Sequence, residues 1–496
     1  MMEALRFPWE EDDDRHEVAP SAFRPRAKRR SGLSQASRPQ RKPSARRRPS
    51  VSRTAATMPI EEPVATRTTT GHASREAARD RTAGRVVKGP QRERHEPDYM
   101  LMAAAVALSA LGVLMVYSST GYEAGRAGGS VFDEVSEQLV WGLLGGLVLV
   151  LMMRIDYRYW RTFSILGIAV AVVLLVLVVG PSIPPLLQPL EVNGATRWLK
   201  IGGLPSFQPT EFAKLALVVF LAHWLARKGT DVRSFRRSLI PFVLLVAVFA
   251  GLILLEPDLG TTGVIVLTAF AMIFVAGGRI WQLAMVVPLG VAAVAAVVLM
   301  KPYMLQRVAI FLDPLADSTG AGFQTFRSIY SLAYGGITGK GLGFSQQPAG
   351  WSVPAAENDF IFAVVGQEFG FVGGMVVIGL FLVLAWRGIR VAMNAPDTFG
   401  GLLALGITAW LVFQAFINIA VVVSLIPMTG MPLPFLSKGG TSLVVVLAAV
   451  GILLSISRES VTRGASAHED PHRSRGHRRP HLSRSGRRDP TTDPTT

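Results

Sequence analysis

Long stretches without a single charge constrain this chain more than any other feature. Ile165–Val179 and Val286–Met300 are two of them, and several more of similar character follow one another along the middle of the sequence. A bilayer core about 30 Å thick needs roughly 20 apolar helical residues to cross it. Lipid offers no partner to an open backbone amide, so such stretches are helical. The pattern predicts an all-α, polytopic membrane bundle. Half of the 496 residues are hydrophobic, and their concentration in blocks is what separates this chain from a soluble protein of equal length.

Ten spans are predicted: about 99–118, 137–153, 161–180, 208–226, 237–255, 259–277, 280–300, 359–385, 399–424 and 440–457. The formal charge of +16 lies mostly outside them. Residues 1–97 carry 22 Lys and Arg against 13 acids, and residues 458–496 carry 9 against 5. Both segments are rich in Arg, Pro and Ser and too poor in apolar residues to offset ordering entropy, so they read as disordered basic arms. Arms of this kind are expected beside anionic membrane lipid or cytoplasmic partners, not on nucleic acid. Short basic loops hold Arg154, Arg158 and Arg161, then Arg227 to Arg237, then Arg279, then Arg387 and Arg390. By the positive-inside rule these loops and both termini face the cytoplasm. The opposite face then carries two segments too long to be connectors, 181–207 and 301–358, so function is expected outside. The organisation is thus an arm over 1–97, a membrane domain over 98–457 and a tail over 458–496.

Ionisable and amide groups within spans are costly and by default suggest a site. Glu211 and Lys214 fall in the first two turns of the fourth span. Glu368 follows Gln367 about 13 Å into the eighth, Gln414 and Asn418 share one face of the ninth, and Thr441 and Ser442 open the tenth. All belong to the outer half, which argues for a polar cavity opening outward. Interhelical hydrogen bonding would account equally for Gln414 and Asn418, and a local i,i+3 pair for Glu211 and Lys214. Asp359 ends the long outer segment, where it or Asn358 could cap the eighth helix, or Asp359 could act chemically at the water–lipid boundary.

Much chemistry is excluded. There is no cysteine, so disulfides and thiolate sites are absent. Gly335-Gly336-Ile337-Thr338-Gly339-Lys340 looks like a phosphate loop but has its first glycine misplaced and Gly341 where Ser or Thr should follow the lysine. No nucleotide-sugar fingerprint and no HExxH are present. A substrate handled outside must therefore bring its own activation, as a lipid-linked diphosphate does.

Four blocks in order give the chain its resemblance. They are Asn193-Gly194-Ala195-Thr196-Arg197-Trp198 with Gln208-Pro209-Thr210-Glu211; Glu256-Pro257-Asp258-Leu259-Gly260; Gly322-Phe323-Gln324 through Gly339-Lys340-Gly341 to Asp359 and Glu368; and Gln414, Asn418, Thr429-Gly430 with Ser437-Lys438-Gly439-Gly440-Thr441-Ser442. Over about 99–457 the sequence resembles the SEDS family, which includes FtsW, RodA and SpoVE. The resemblance implies a peptidoglycan glycosyltransferase that polymerises lipid II beside a class B penicillin-binding protein. The long charged arms favour the division branch, FtsW, with divisome proteins as further partners and the septum as the location. It also implies Asp359 as the catalytic residue, acting as general base.

Outer-side candidates for the leaving diphosphate are Arg197, Lys200, Arg307, Arg327 and Lys438, and a divalent cation, Mg or Mn, could share that task. Lys214, Gln324, Glu368, Asn418, Thr429, Ser437, Thr441 and Ser442 complete the expected substrate contacts. Glu357-Asn358, Lys438 and Arg327 depart from the family's usual His-Thr, Tyr and Gln. A lipid II flippase, a RodA-type elongation polymerase and a division scaffold are the other readings. A flippase would need polar lining in the cytoplasmic half, where the sequence has little.

Overall fold

The computed structural model describes residues 96–126, 131–180, 187–192, 195–201, 206–313, 322–344, 353 and 356–459. Expectations for the two arms lie outside these residues, apart from 96–97 and 458–459. Twelve α-helices and one hairpin are described: α1 (Tyr99–Arg126), α2 (Val131–Arg154), α3 (Tyr159–Val179), β1 (Leu187–Val192), β2 (Ala195–Ile201), α4 (Pro209–Lys228), α5 (Ile240–Leu255), α6 (Leu259–Val275), α7 (Ile280–Met300), α8 (Pro302–Leu312), α9 (Phe323–Gly335), α10 (Ile361–Asn394), α11 (Thr398–Val422) and α12 (Gly440–Arg458). Among the described residues, nine helices are long and apolar enough to cross a membrane. The segment expected as the sixth span is α6, whose 17 residues give about 25 Å of helix.

Two differences from the sequence reading matter. Within 181–207 the described residues form an antiparallel hairpin, so the fold is helical with one small β element. The segment 301–358 contains α8 and α9, both amphipathic and neither long enough to span.

The helices begin where the sequence gives them a reason to. Pro209 occupies the first turn of α4, where a missing N–H costs nothing. Asp258 caps α6 by accepting from the Thr261 amide at 2.9 Å, and Asp397 caps α11 by accepting from the Gly400 amide at 2.7 Å. The core lies among α4, α11 and α12, where Leu221, Trp410, Leu411 and Leu453 are buried. Small residues let backbones close up: a side chain at Gly388 would strike Thr408, and one at Gly451 would strike α2 at Leu149. By contrast, α7 buries none of its apolar stretch against the described residues.

One end of the bundle is closed by charge. Arg387 pairs with Asp98 at 2.6 Å, and Arg158 with Asp397 and Glu459, each at 3.3 Å. The Asp98 amide donates to Ser457 Oγ at 3.2 Å, so the chain enters and leaves the bundle at this same end. The loops involved are those the sequence reading groups by their basic residues.

At the other end, α10 is broken. Gly370 has φ 66° and ψ −162°, a conformation only glycine tolerates, and it splits the 34 residues into a short leading piece and a long span. A break frees main-chain groups that must be satisfied within the protein. The turn after α9 satisfies them reciprocally. Lys340 and Gly341 amides donate to the Gln367 and Glu368 carbonyls (3.1 and 3.0 Å), while the Gly336 and Ile337 carbonyls accept from Phe371 and Val372 (2.9 and 3.1 Å). Side chains at Gly335 and Gly339 would collide with the Gly366 and Glu368 carbonyls. The glycine run that imitates a phosphate loop is a backbone dock for the broken helix.

Candidate functional site

Asp359 sits in the turn 356–360 immediately before α10. Neither it nor Asn358 caps the helix: the N-cap position is Phe360, with no side-chain cap. The turn is held by its main chain. Three consecutive carbonyls, of Glu357, Asn358 and Asp359, accept from the Lys438 amide (2.7 Å), Ser437 Oγ and Asn418 Nδ2 (2.8 Å) respectively. Asn418 Nδ2 also donates to the Met431 carbonyl at 2.7 Å, and Ser437 Oγ accepts from the Leu433 amide at 2.8 Å. Asn418 and Ser437, expected as substrate contacts, are buried and directed at the backbone that carries Asp359. The Asp359 carboxylate is half-buried and makes no direct hydrogen bond or ion pair among the described residues.

Two guanidiniums face it across Gly430. A Cβ placed at Gly430 would lie 3.2 Å from Arg197 Nη1, 3.5 Å from Asp359 Oδ2 and 3.9 Å from Arg307 Nη1. Gly430 also has φ 70°, so both its conformation and its missing side chain are needed there. Arg197 comes from β2, where Leu190 pairs with Trp198 and Glu191 with Thr196, leaving Arg197 as the extra residue of a β-bulge. A bulge re-aims a side chain. Here the guanidinium reaches three carbonyls, of Glu256 (3.2 Å), Pro257 (2.6 Å) and Gly430 (3.2 Å). Leu199 exchanges both main-chain bonds with Phe207 at 2.8 Å, anchoring the hairpin to the start of α4. Arg307, on α8, donates to the Met428 carbonyl at 3.0 Å and lies over the Tyr303 ring. Thr429 stands against Gly260, which brings the second and fourth sequence blocks together.

Burial pushes the Asp359 carboxyl up to about 6; Arg197 and Arg307 oppose the shift, while Asp258 and Glu357 add to it. Burial and the neighbouring Arg197 bring Arg307 down to about 10, so it stays cationic at neutral pH. Glu256 is fully buried, and among the described residues neither carboxyl oxygen has a hydrogen-bond partner. Burial first, then Asp258, pushes it up to about 9 against the pull of Arg197. It is therefore an uncharged acid at neutral pH when folded and ionised when unfolded. Its contribution to stability is complete below its ordinary value of 4.5 and is lost as pH rises through about 9. Glu256→Gln keeps the shape without the ionisation, so its melting temperature in detergent should fall less than wild type's between about pH 5 and 9. A variant with the wild-type slope would contradict this assignment.

The remaining expected residues fall elsewhere. Lys214 is buried in a closed network, donating to Glu211 Oε1 and Gln414 Oε1 at 2.7 Å each. Gln414 Oε1 also accepts from Trp410 Nε1 at 2.8 Å, and its Nε2 donates to the Pro432 carbonyl at 3.0 Å. The Lys214 ammonium is thus engaged inside the bundle by Glu211 and Gln414. Glu368 is buried at the helix break, accepting from Ser118 Oγ and, at 3.2 Å, from the Gly343 amide. Gln324 and Arg327 lie on α9, with Arg327 over the Phe323 ring, and Lys200 is exposed on β2. Ser442 is buried, while Lys438 and Thr441 line a cavity of about 210 Å³ with Trp198, Glu357, Asn358, Glu137 and Trp141. Glu137 and Trp141 escaped the sequence reading. An i,i+4 Glu–Trp pair at the start of a span was the available signal.

The groups near Asp359 do not form a closed divalent-cation site: Asp258 bonds Thr261 through both oxygens (2.9 and 2.8 Å), and two guanidiniums face Asp359, leaving Glu357 as the other nearby carboxylate. Among the described residues, no three His, Cys, Asp or Glu gather in a metal-binding group.

Residues 98–462 match the sequence model of FtsW, RodA and SpoVE, described as cell cycle proteins. The chain is 41% identical over 364 residues to stage V sporulation protein E of Bacillus subtilis (strain 168), covering 73% of this chain and 98% of that protein. It is 39% identical over 367 residues to a probable peptidoglycan glycosyltransferase FtsW of Trichlorobacter lovleyi, covering 73% and 93%. Among solved structures it resembles a chain of a peptidoglycan synthase complex that coordinates polymerization and crosslinking. That match has a TM-score of 0.60 and 29% identity, and covers 73% of this chain and 98% of the other.

Proposed function

The chain belongs to the FtsW/RodA/SpoVE family of cell cycle proteins, and from that premise we propose that it polymerises lipid II into glycan strands with Asp359 as general base. It is a multi-pass bacterial membrane protein and a glycosyltransferase. The observation that carries the finer reading is the half-buried Asp359 carboxylate, held through its main chain and facing Arg197 and Arg307 across Gly430.

In the proposed step the acceptor's 4-hydroxyl oxygen bonds to the donor's anomeric carbon. The carbon–oxygen bond to the lipid diphosphate breaks on the opposite face, inverting the centre, and the hydroxyl proton passes to Asp359. A sugar hydroxyl is a weak nucleophile at neutral pH, and a positioned base contributes about 10²–10⁴-fold. Arg197 and Arg307 would receive the negative charge of the departing diphosphate. Arg197 is fixed by three carbonyls, so little reorganisation accompanies that step. Lys200, Arg327 and Lys438 stand as further cations on the outward side.

The basic loops at the opposite end of the bundle support a site on the outer face, with both arms cytoplasmic. A crosslinking enzyme, a class B penicillin-binding protein, is the proposed partner, in keeping with the synthase complex that the chain resembles. The division septum and divisome proteins are the proposed setting, on the strength of the FtsW relatives and the long arms. Transport finds less support. The closed network at Lys214 leaves beside it a cavity of about 10 Å³, room for no more than a water molecule.

The test is polymerisation of purified lipid II by the full chain with its partner transpeptidase, read on gels as glycan length. No polymer from an intact complex would overturn the proposal. With Asp359 as base, the initial rate should climb as pH rises through about 6 and then level off. A rate independent of pH from 5 to 7 would remove Asp359 from that role.

A further inference from the structure

The cavity beside the Asp359 turn has a composition of its own. Its volume is about 210 Å³, below the roughly 300 Å³ at which pockets for drug-sized ligands begin, so it suits a single ring-sized group. Trp141 from α2 and Trp198 from β2 supply two indoles. Trp141 packs directly on the main chain at Gly440, where any side chain would collide with its ring. The polar lining mixes types: the carboxylates of Glu137 and Glu357, the amide of Asn358 and the ammonium of Lys438. Trp141 Nε1 donates weakly to Glu137 Oε1 at 3.4 Å, one turn away on the same helix.

Each feature narrows the ligand. Two carboxylates against one ammonium disfavour a diphosphate, which the arginine pair would take instead. Indole faces with acceptors and donors around them suit a neutral ring that is apolar on its faces and hydroxylated at its edge. Strand β2 and the 357–359 turn both serve the two places: Arg197 and Asp359 belong to the charged cluster, and Trp198, Glu357 and Asn358 to the cavity. We propose that this cavity is a saccharide subsite, taking one N-acetylated pyranose of the growing or incoming glycan, with Trp141 and Glu137 as binding residues. The proposal rests on reading Asp359 as the centre of glycosyl transfer.

The experiment uses the full chain in detergent and a short β-1,4-linked N-acetylglucosamine oligomer as probe, with binding read by tryptophan fluorescence and saturation-transfer NMR. Wild type and Asp359→Asn should bind the oligomer alike. Trp141→Ala should weaken binding about tenfold and Trp141→Phe should restore most of it. Glu137→Gln, in a less buried position, should weaken binding without lowering the melting temperature. In lipid II polymerisation Trp141→Ala should raise KM more than it lowers kcat. Oligomer binding unchanged in both Trp141→Ala and Glu137→Gln would overturn the subsite, as would protection of Trp141 by inorganic pyrophosphate in place of the oligomer. Wild-type polymerisation in the same preparation shows whether the transferase reading survives independently.

Discussion

Asp359→Asn should lower lipid II polymerisation by about 10²–10⁴-fold, the share expected of a positioned general base, while protein level, melting temperature and partner binding should stay at wild-type values. This pairing follows from how the turn is held. The bonds from Lys438, Ser437 and Asn418 go to main-chain carbonyls, and the carboxylate contributes none of them. An amide of the same shape should therefore leave the turn in place. Relieving a partly buried acid costs the fold little, since burial already raises Asp359 above the ordinary carboxylate range. The measurement is polymer formed per minute by co-purified complexes of wild type and variant. Wild-type turnover in the variant would eliminate Asp359 as the base; loss of the complex itself would show that its role is structural.

The second large effect is on folding. Gly339→Ala places a methyl group on the Glu368 carbonyl at a residue with φ 81°, and it should destabilise the protein by about 3 kcal/mol or more. The neighbouring Gly336 also has a positive φ, 60°, yet a Cβ there meets nothing within 4 Å. Gly336→Ala should therefore cost only about 1 kcal/mol, the conformational part alone. Thermal midpoints of the two variants in one detergent separate collision from backbone strain. Equal losses would mean that the docking of α10 on this turn has been misread.

Much of the architecture was legible because the bilayer leaves a chain so few choices. Charge-free runs such as Val286–Met300 can only be helices in lipid, and the short basic loops sort the ends of the bundle. The break at Gly370 was not legible. Gln367-Glu368-Phe369-Gly370-Phe371-Val372 reads as one continuous span, because what allows the break is a turn some thirty residues earlier in sequence. The same non-local cause hid the meaning of the glycine run, which has a motif's look and a packing role.

At the site, Asp359, Arg197 and Arg307 were readable as residues but not as a cluster. Only Gly430, with its missing side chain, and the bulge at Arg197 bring them together, and neither has a local signature. Asn418 and Ser437 illustrate the reverse. Their types suggest substrate contact, whereas their hydrogen bonds go to the backbone of a turn that lies far away in sequence. Glu256 could not be assigned a charge from sequence, since an acid beside Asp258 and Arg197 takes its state from burial.

The four reciprocal bonds between the 336–341 turn and the broken helix restrict spelling less than they restrict length. Side chains at Ile337 and Lys340 can vary, because only their amides and carbonyls take part. Inserting or deleting one residue there would shift every donor off its acceptor at once. The interval from the end of α9 to Gly343 is therefore a fixed ruler, its length set by the broken helix it docks.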